Sequence, residues 1–320
     1  MEWFGSGALF PLMVIRAIHF AATATAAGAL IFRAVVAEPA LRSTPAAMTV
    51  IRSRIVLTAS IGLAIAAASG LIWLQLQAAS MSGLPLGEAA TSDVLSTVLN
   101  ETQFGRVSKI RFGLAIILAA CLAYDRLALS RWVGLASALG LTAAIAWTGH
   151  AGSTLGEMGD VHLTADVLHL FAAAAWVGGL VSLAALLAVA RRNHVLAWAS
   201  LARDAAQRFS TLGMFSVGTL LVSGIVNAWI LVGSFHALLI TEYGQLLMLK
   251  LVVFAVMLVF AAVNRFWLTP QLALSSEDAA RLGALCQLTR NSVAEIALGF
   301  TIFAIVGVLG MQHPAIHFMN

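Results

Sequence analysis

The sequence has little charge and almost no cysteine. Of its 320 residues only 10% are Asp, Glu, Lys or Arg, while 61% are hydrophobic; a soluble domain carries roughly 25% charged residues. A water-soluble fold of this length could not hide so much apolar surface, so most of the chain is expected to face membrane lipid. The two cysteines, Cys121 in an apolar run and Cys286 in a polar connection, are too few for a disulfide framework or a cysteine-based zinc site. No nucleophile with an adjacent base and no zinc-protease motif occurs, and Gly149 to Gly152 is too short for a phosphate-cradling loop. The net charge of +4 does not point to nucleic acid, because the arginines stand between apolar runs rather than on one basic face. Before the first run there is Glu2 and no Lys or Arg, and Arg16 interrupts the run itself, so a cleaved signal peptide is not expected.

What the sequence does contain is about eight apolar runs of the length needed to cross a bilayer core of roughly 30 Å. They fall at 8–36, 54–79, 105–124, 131–149, 161–190, 209–233, 243–264 and 289–310. The expected fold is therefore all-α, a polytopic membrane helix bundle forming one integral membrane domain over 1–320. The second run is the clearest, with no charge from Ile55 to Ala79. In the third, the apolar part from Phe112 to Tyr124 is short, and it spans only if Lys109 and Arg111 sit in the first turns and snorkel outward. No repeat of 20–50 residues and no match between halves is evident.

Arginine sets the orientation. Most of it lies at connections after odd-numbered runs: Arg33 to Arg54, Arg126 and Arg131, Arg191 to Arg208, and Arg265 to Arg290. By the positive-inside rule those connections are cytoplasmic and both termini are periplasmic. Five cations oppose the rule: Arg16, Arg106, Lys109, Arg111 and Lys250.

With that orientation seven of the eight histidines face outward (His19, His150, His162, His169, His236, His313 and His317), leaving His194 alone inside. Neutral imidazole is the commonest transition-metal ligand and a thioether suits Cu(I), so nearby Met158, Met311 and Met319 strengthen a metal reading; the blander account is that histidine tolerates interfaces. In the fifth run His162, Asp166, His169 and Trp176 are spaced by four, three and seven and share one helix face. An intramembrane Asp marks a functional site by default. His162 and His169 are about 10 Å apart along the axis, too far to clasp one ion, which suggests a mouth position at His162 and Asp166 and a deeper one at Asp166 and His169. Arg16 and His19 share a face of the first run at similar depth and could meet His169 across a helix interface. Alternatively, Asp166 neutralises Arg16 or Lys250 in a buried packing pair. Glu295, toward the cytoplasmic side, is expected to pair with Arg290 or Arg265.

Several motifs then occur in order: Arg16-Ala-Ile-His19-Phe20; Gly149-His150-Ala151; His162, Asp166 and His169 followed by Trp176-Val177-Gly178-Gly179; Arg208-Phe209-Ser210; Ser223-Gly224 with Asn227; and Tyr243-Gly244 with Lys250, leading to Asn264-Arg265. Together they resemble the CopD family of bacterial copper resistance proteins over essentially the whole chain. The resemblance implies a multi-pass protein of the bacterial inner membrane with outward-facing ligands, engaged in copper uptake beside a CopC-like periplasmic copper protein.

Two functions compete. As a copper permease, the chain would take ions at His150, Met158 and His162, with His19 nearby, and pass them to Asp166 and His169; Arg16 and Lys250 at that depth would repel a cation unless acids compensate. As a b-type cytochrome, Arg16 and Lys250 would hold haem propionates while His19 and His169 served as axial ligands of haem b, reducing periplasmic Cu(II). A third reading is a purely structural partner for a copper carrier. For the topology, a reporter active only outside the cytoplasm is expected to work when fused after Asn320; activity restricted to a cytoplasmic reporter would overturn the assigned orientation.

Overall fold

The computed structural model describes residues 9–42, 47–193, 196–274 and 278–318. Its helices are α1 (Leu9–Phe32), α2 (Met48–Ser82), the short α3 (Ser92–Glu101), α4 (Gln103–Ala123), α5 (Ala128–Ala143), α6 (Gly156–Ala173), α7 (Gly179–Arg192), α8 (Leu196–Val232), the short α9 (Phe235–Ile240), α10 (Glu242–Val263) and α11 (Asp278–Leu309). No strand occurs among the described residues. Helix is what apolar runs of this length must form, since lipid offers backbone groups no partner. π-helical turns at Arg33–Ala37, Ala174–Gly178 and Asn264–Leu268 extend α1, join α6 to α7 and extend α10. Gly83 and Gly233 end α2 and α8 with φ of 69° and 72°, the left-handed conformation that glycine adopts without strain.

Among the described residues, seven stretches are long and apolar enough to cross a membrane. Helix α4 is not among them because Arg106, Lys109 and Arg111 crowd its first half, yet its contacts show that it traverses the bundle. Gln103, at its start, donates to the carbonyls of Trp147 and Gly152 beyond the end of α5. At its other end Asp125 accepts hydrogen bonds from the two terminal guanidinium nitrogens of Arg33, past the far end of α1. Its 21 residues cover about 31 Å. Eight helical passes follow, with Arg16 beside Met311, so the start of the first pass and the end of the last lie together. Lys109 snorkels to Asn100 at 3.0 Å as expected. Arg111 does not: it turns into the bundle and is buried.

The centre of the bundle is the pair formed by α1 and the continuous α6–α7. In their spans 72% and 67% of the most apolar window is buried, against 11% for the span beginning at Glu242 and 22% for that at Ala197. The outer helices present Ile116, Val222, Ile225 and Val259 to the surrounding lipid. The central pair crosses at glycine. A Cβ on Gly28 would lie 2.2 Å from the Ala174 carbonyl oxygen, and one on Gly178 would lie 2.0 Å from that of Ala24. Small residues thus bring two backbones into contact, the usual basis of helix association in lipid.

Those contacts are reciprocal, and so is much else. Gly28 follows His19 by nine residues and Gly178 follows His169 by nine. Thr102-Gln-Phe-Gly105 opens α4 and Thr241-Glu-Tyr-Gly244 opens α10. Each Thr hydroxyl accepts from its Gly amide, at 2.9 and 3.0 Å, and donates to the preceding short helix at 2.7 Å in both cases. Six residues after each Gly comes a cation, Arg111 or Lys250, and fourteen further an Asp125-Arg126 or Asn264-Arg265 pair. Helices α1, α2, α4 and α5 therefore match α6–α7, α8, α10 and α11, as two parallel repeats about a pseudo-two-fold axis at the glycine crossing. The expectation of unmatched halves is overturned. The matching residues are separated by different distances in each half, because the connection from Gly83 to Thr102 is longer than that from Gly233 to Thr241; no single offset aligns them.

The crossing should be the most sensitive point of the fold. Gly28→Ala and Gly178→Ala are each expected to lower stability by about 1–3 kcal/mol through overpacking, whereas Gly218→Ala, with open space around its Cβ, should change it little in thermal unfolding of the detergent-solubilised protein.

Candidate functional site

The two repeats build two polar clusters on one plan. In the first, His19 Nδ1 lies 3.1 Å from Ser69 Oγ on α2, and Gly70 makes room for the ring. Its Nε2 is 3.4 Å from Thr23 Oγ1 and hydrogen-bonds the Arg111 guanidinium. In the second, His169 Nδ1 lies 3.0 Å from Ser223 Oγ on α8, with Gly224 beside the ring. The third helix of each half then supplies the cation, Arg111 or Lys250, and Lys250 stands within electrostatic reach of both His169 and Asp166.

The clusters differ in sign. Arg16 and Asp166 occupy matching places, three residues before each histidine, and Trp73 and Asn227 occupy matching places, four after each serine. Their contacts match too. Arg16 lies over the Trp73 ring at 5.2 Å, with Arg111 also 5.0 Å from that ring, while Asn227 Nδ2 donates to Asp166 at 3.3 Å. Cation–π attraction thus covers two buried guanidiniums in the first half, and no described acid pairs with either. The second half instead has a carboxylate whose partner Asn227 keeps a buried carbonyl oxygen without a hydrogen bond. Asp166 and Lys250 form no ion pair within 4.0 Å.

At the end of the bundle where α1 begins and α11 ends, His162 is fully buried and holds Thr154 Oγ1 through Nδ1 at 2.8 Å. His150 is its electrostatic neighbour; Nε2 of His150 lies 3.4 Å from the Leu309 carbonyl oxygen, and its ring centroid 6.2 Å from that of Tyr243. Tyr243 is in turn within electrostatic reach of Asp166. His150, His162, Tyr243, Asp166, Lys250 and His169 therefore form a polar series running from that end into the second half. No three of His, Cys, Asp and Glu among the described residues lie close enough to cage a metal.

Several expectations change. Arg16 and His19 do not meet His169: each histidine turns to its own half, and Arg16 approaches Met311 Sδ at 3.6 Å rather than Asp166. Met158 is half exposed and packs into no cluster. Glu295 pairs with neither Arg290 nor Arg265. Asn264 donates to it at 2.6 Å and the Trp176 indole faces it, while Arg265 is held by Ser210. Haem does not fit the residues proposed for it, because both ring nitrogens of His19 are engaged and its neighbour Arg111 is packed against Trp73 and the ring itself. His194, Met319 and the side chain of His317 lie outside the described residues. Sequence reasoning passed over Ser69, Trp73 and the role of Ser223; the signal was the Ser-Gly dipeptide at 69–70 and again at 223–224.

Comparison with known proteins adds an independent line. The family profile described as "Copper resistance protein D-like, N-terminal domain" matches residues 7–161, and "Copper resistance protein D" matches 203–309, one on each half of the repeat. The chain is 33% identical to "Inner membrane protein YebZ" of Escherichia coli (strain K12) over 170 residues, covering 53% of this chain and 55% of that one. It is 33% identical to "Copper transport protein CutJ" of Bacillus subtilis (strain 168) over 224 residues, 67% of this chain and 39% of the other. Identity to "Copper resistance protein D" of Pseudomonas syringae pv. tomato is 27% over 256 residues, covering 77% and 82%. The chain thus spans about half the length of the first relative and two fifths of the second. No solved structure matches it. With copper named in both profiles and a bundle of apolar helices that cross a membrane, this chain is a multi-pass membrane protein that belongs to the copper resistance protein D family.

Proposed function

We propose that the protein takes copper at the outer face of a bacterial inner membrane, from a CopC-like periplasmic carrier, and moves it inward through the second repeat. The observation that carries this reading is Asp166: an intramembrane carboxylate with no ion pair, beside an unused Asn227 carbonyl oxygen, with His162 and His150 toward the outer surface and His169 one turn deeper. An unpaired acid at that depth is costly and marks an ion pathway.

Each residue has a role in this reading. His150 and His162, with Met158 at the rim, offer the imidazole and thioether ligands that suit copper. Asp166 supplies the charge, and Ser223 holds the His169 ring in place by its Nδ1, the arrangement by which a neighbouring group orients a metal-binding imidazole. Lys250 faces the same carboxylate, so its ammonium competes with the incoming ion and helps release it. The first repeat suits no cation: two guanidiniums without an acid would repel one, and His19 is committed to Ser69 and Arg111. We read that half as the fixed support against which the second works. The Bacillus relative is named a copper transport protein, which supports a role in moving copper.

Asp166→Asn keeps the shape and one acceptor but removes the charge. Copper affinity of the purified protein is expected to fall at least tenfold while thermal unfolding stays near the parent's; unchanged affinity in a stable variant would overturn the reading. Ser69→Ala and Ser223→Ala should each cost about 1 kcal/mol from a lost buried hydrogen bond, yet only Ser223→Ala should weaken copper binding in the same titration. An equal loss from Ser69→Ala would mean that both repeats bind the ion.

A further inference from the structure

On the inner side of the second repeat lies a cavity of about 280 Å³ between α7, α8, the π-turn after α10, and α11. Glu295 and Ser292 from α11 line it, with Asn264 and Trp176 from two of the π-turns. Among the described residues Glu295, 2% exposed, makes no ion pair, and the hydroxyl of the fully buried Ser292 has no hydrogen-bond partner. Such π-turns occur often at functional sites.

The first repeat shows what this place accommodates. There Asp125, the match of Asn264, takes the Arg33 guanidinium, which also donates from Nε to Glu38 at 3.1 Å, with Arg52 and Arg131 completing a closed ionic network. In the second repeat the aspartate is replaced by Asn264, and the corresponding stretch of α7 from Gly179 to Ala190 carries no cation. The fixed positive charge is gone, a void stands in the same end of the repeat, and an acid without a cation faces it. Arg265, the remaining cation on the wall, is bound to Ser210.

We propose that this cavity is an inner binding site for the transported ion as Cu(I), with the Glu295 carboxylate as its charged ligand and the Ser292 hydroxyl as a neutral one. Met214 on the wall adds a soft thioether, and the Trp176 ring an electron-rich face, both suited to a soft monovalent cation. Glu295 lies fourteen residues before the outer end of α11 at Leu309, about 21 Å deeper along the helix, so the site would follow Asp166 and His169 on an inward path. The inference rests on the copper reading above and adds a second station to it.

Glu295→Gln retains an acceptor for Asn264, and Gly213→Phe blocks the cavity from α8, where a Cβ meets nothing within 4 Å, without touching Glu295. Cu(I) bound per chain, measured by competition with a chromophoric chelator, is expected to drop by one in each, and copper accumulation in cells to fall at least tenfold, with thermal unfolding near the parent's. Asp166→Asn should lose its own site and keep this one. Parental Cu(I) stoichiometry in both cavity variants, with binding still lost in Asp166→Asn, would overturn the inner site and leave the outer one standing. Parental stoichiometry in Glu295→Gln with an altered pH profile of uptake would also overturn it, assigning the cavity to a proton. If all three variants behave as the parent, the copper reading itself fails.

Discussion

Everything in this bundle is arranged about the contact between Gly28 and Gly178. Lipid supplies no hydrophobic force to press two helices together, so association depends on how closely their surfaces meet. At this crossing the absence of side chains lets the backbone of α1 touch that of the α6–α7 helix in both directions. Because each glycine follows its histidine by nine residues, the crossing also sets His19 and His169 at equal depth on opposite sides of the axis. Each histidine is thereby committed to the serine, glycine and cation of its own half.

On that symmetric frame the chemistry is unequal. Replacing Arg16 by Asp166 and Trp73 by Asn227 at matching positions turns a sealed cationic cluster, stabilised by ring contacts, into an open one with a negative charge and an unused oxygen. The same contrast recurs at the inner end, where a saturated network around Arg33, Glu38 and Asp125 has as its counterpart a cavity with Glu295. A charge in low dielectric must be paired, hydrogen-bonded or free to bind an ion. The first repeat meets that demand by ring faces, hydrogen bonds and fixed ion pairs, and the second by amide hydrogen bonds to Asp166 and Glu295, with no ion pair to either among the described residues.

The π-turns link the frame to the sites. Each inserts a local widening of the helix, and two of the three bring Trp176 and Asn264 to the wall of the inner cavity. Thr269 on that wall donates to the Asn264 carbonyl oxygen at 2.8 Å, one of the groups that an ordinary helical turn would satisfy differently.

The sequence by itself determined the membrane, the helical passes and the second-half line of His162, Asp166 and His169, because lipid demands long apolar runs and a helix repeats its face at spacings of three and four. It also carried the family, in motifs spread over several helices. Only the tertiary structure decided which polar groups meet. Arg111 looked like a snorkelling residue because its helix was read alone; packing against α1 and α2 turned it onto His19 and Trp73. Glu295 was expected to find an arginine, and found Asn264 because the π-turn after α10 presents that amide instead. The duplication escaped reading for a different reason: its matching motifs are short, and unequal connections shift them to different offsets along the chain. Periodicity within a helix is a local property of the sequence, whereas the partner of a buried charge is fixed by which helix lies beside it.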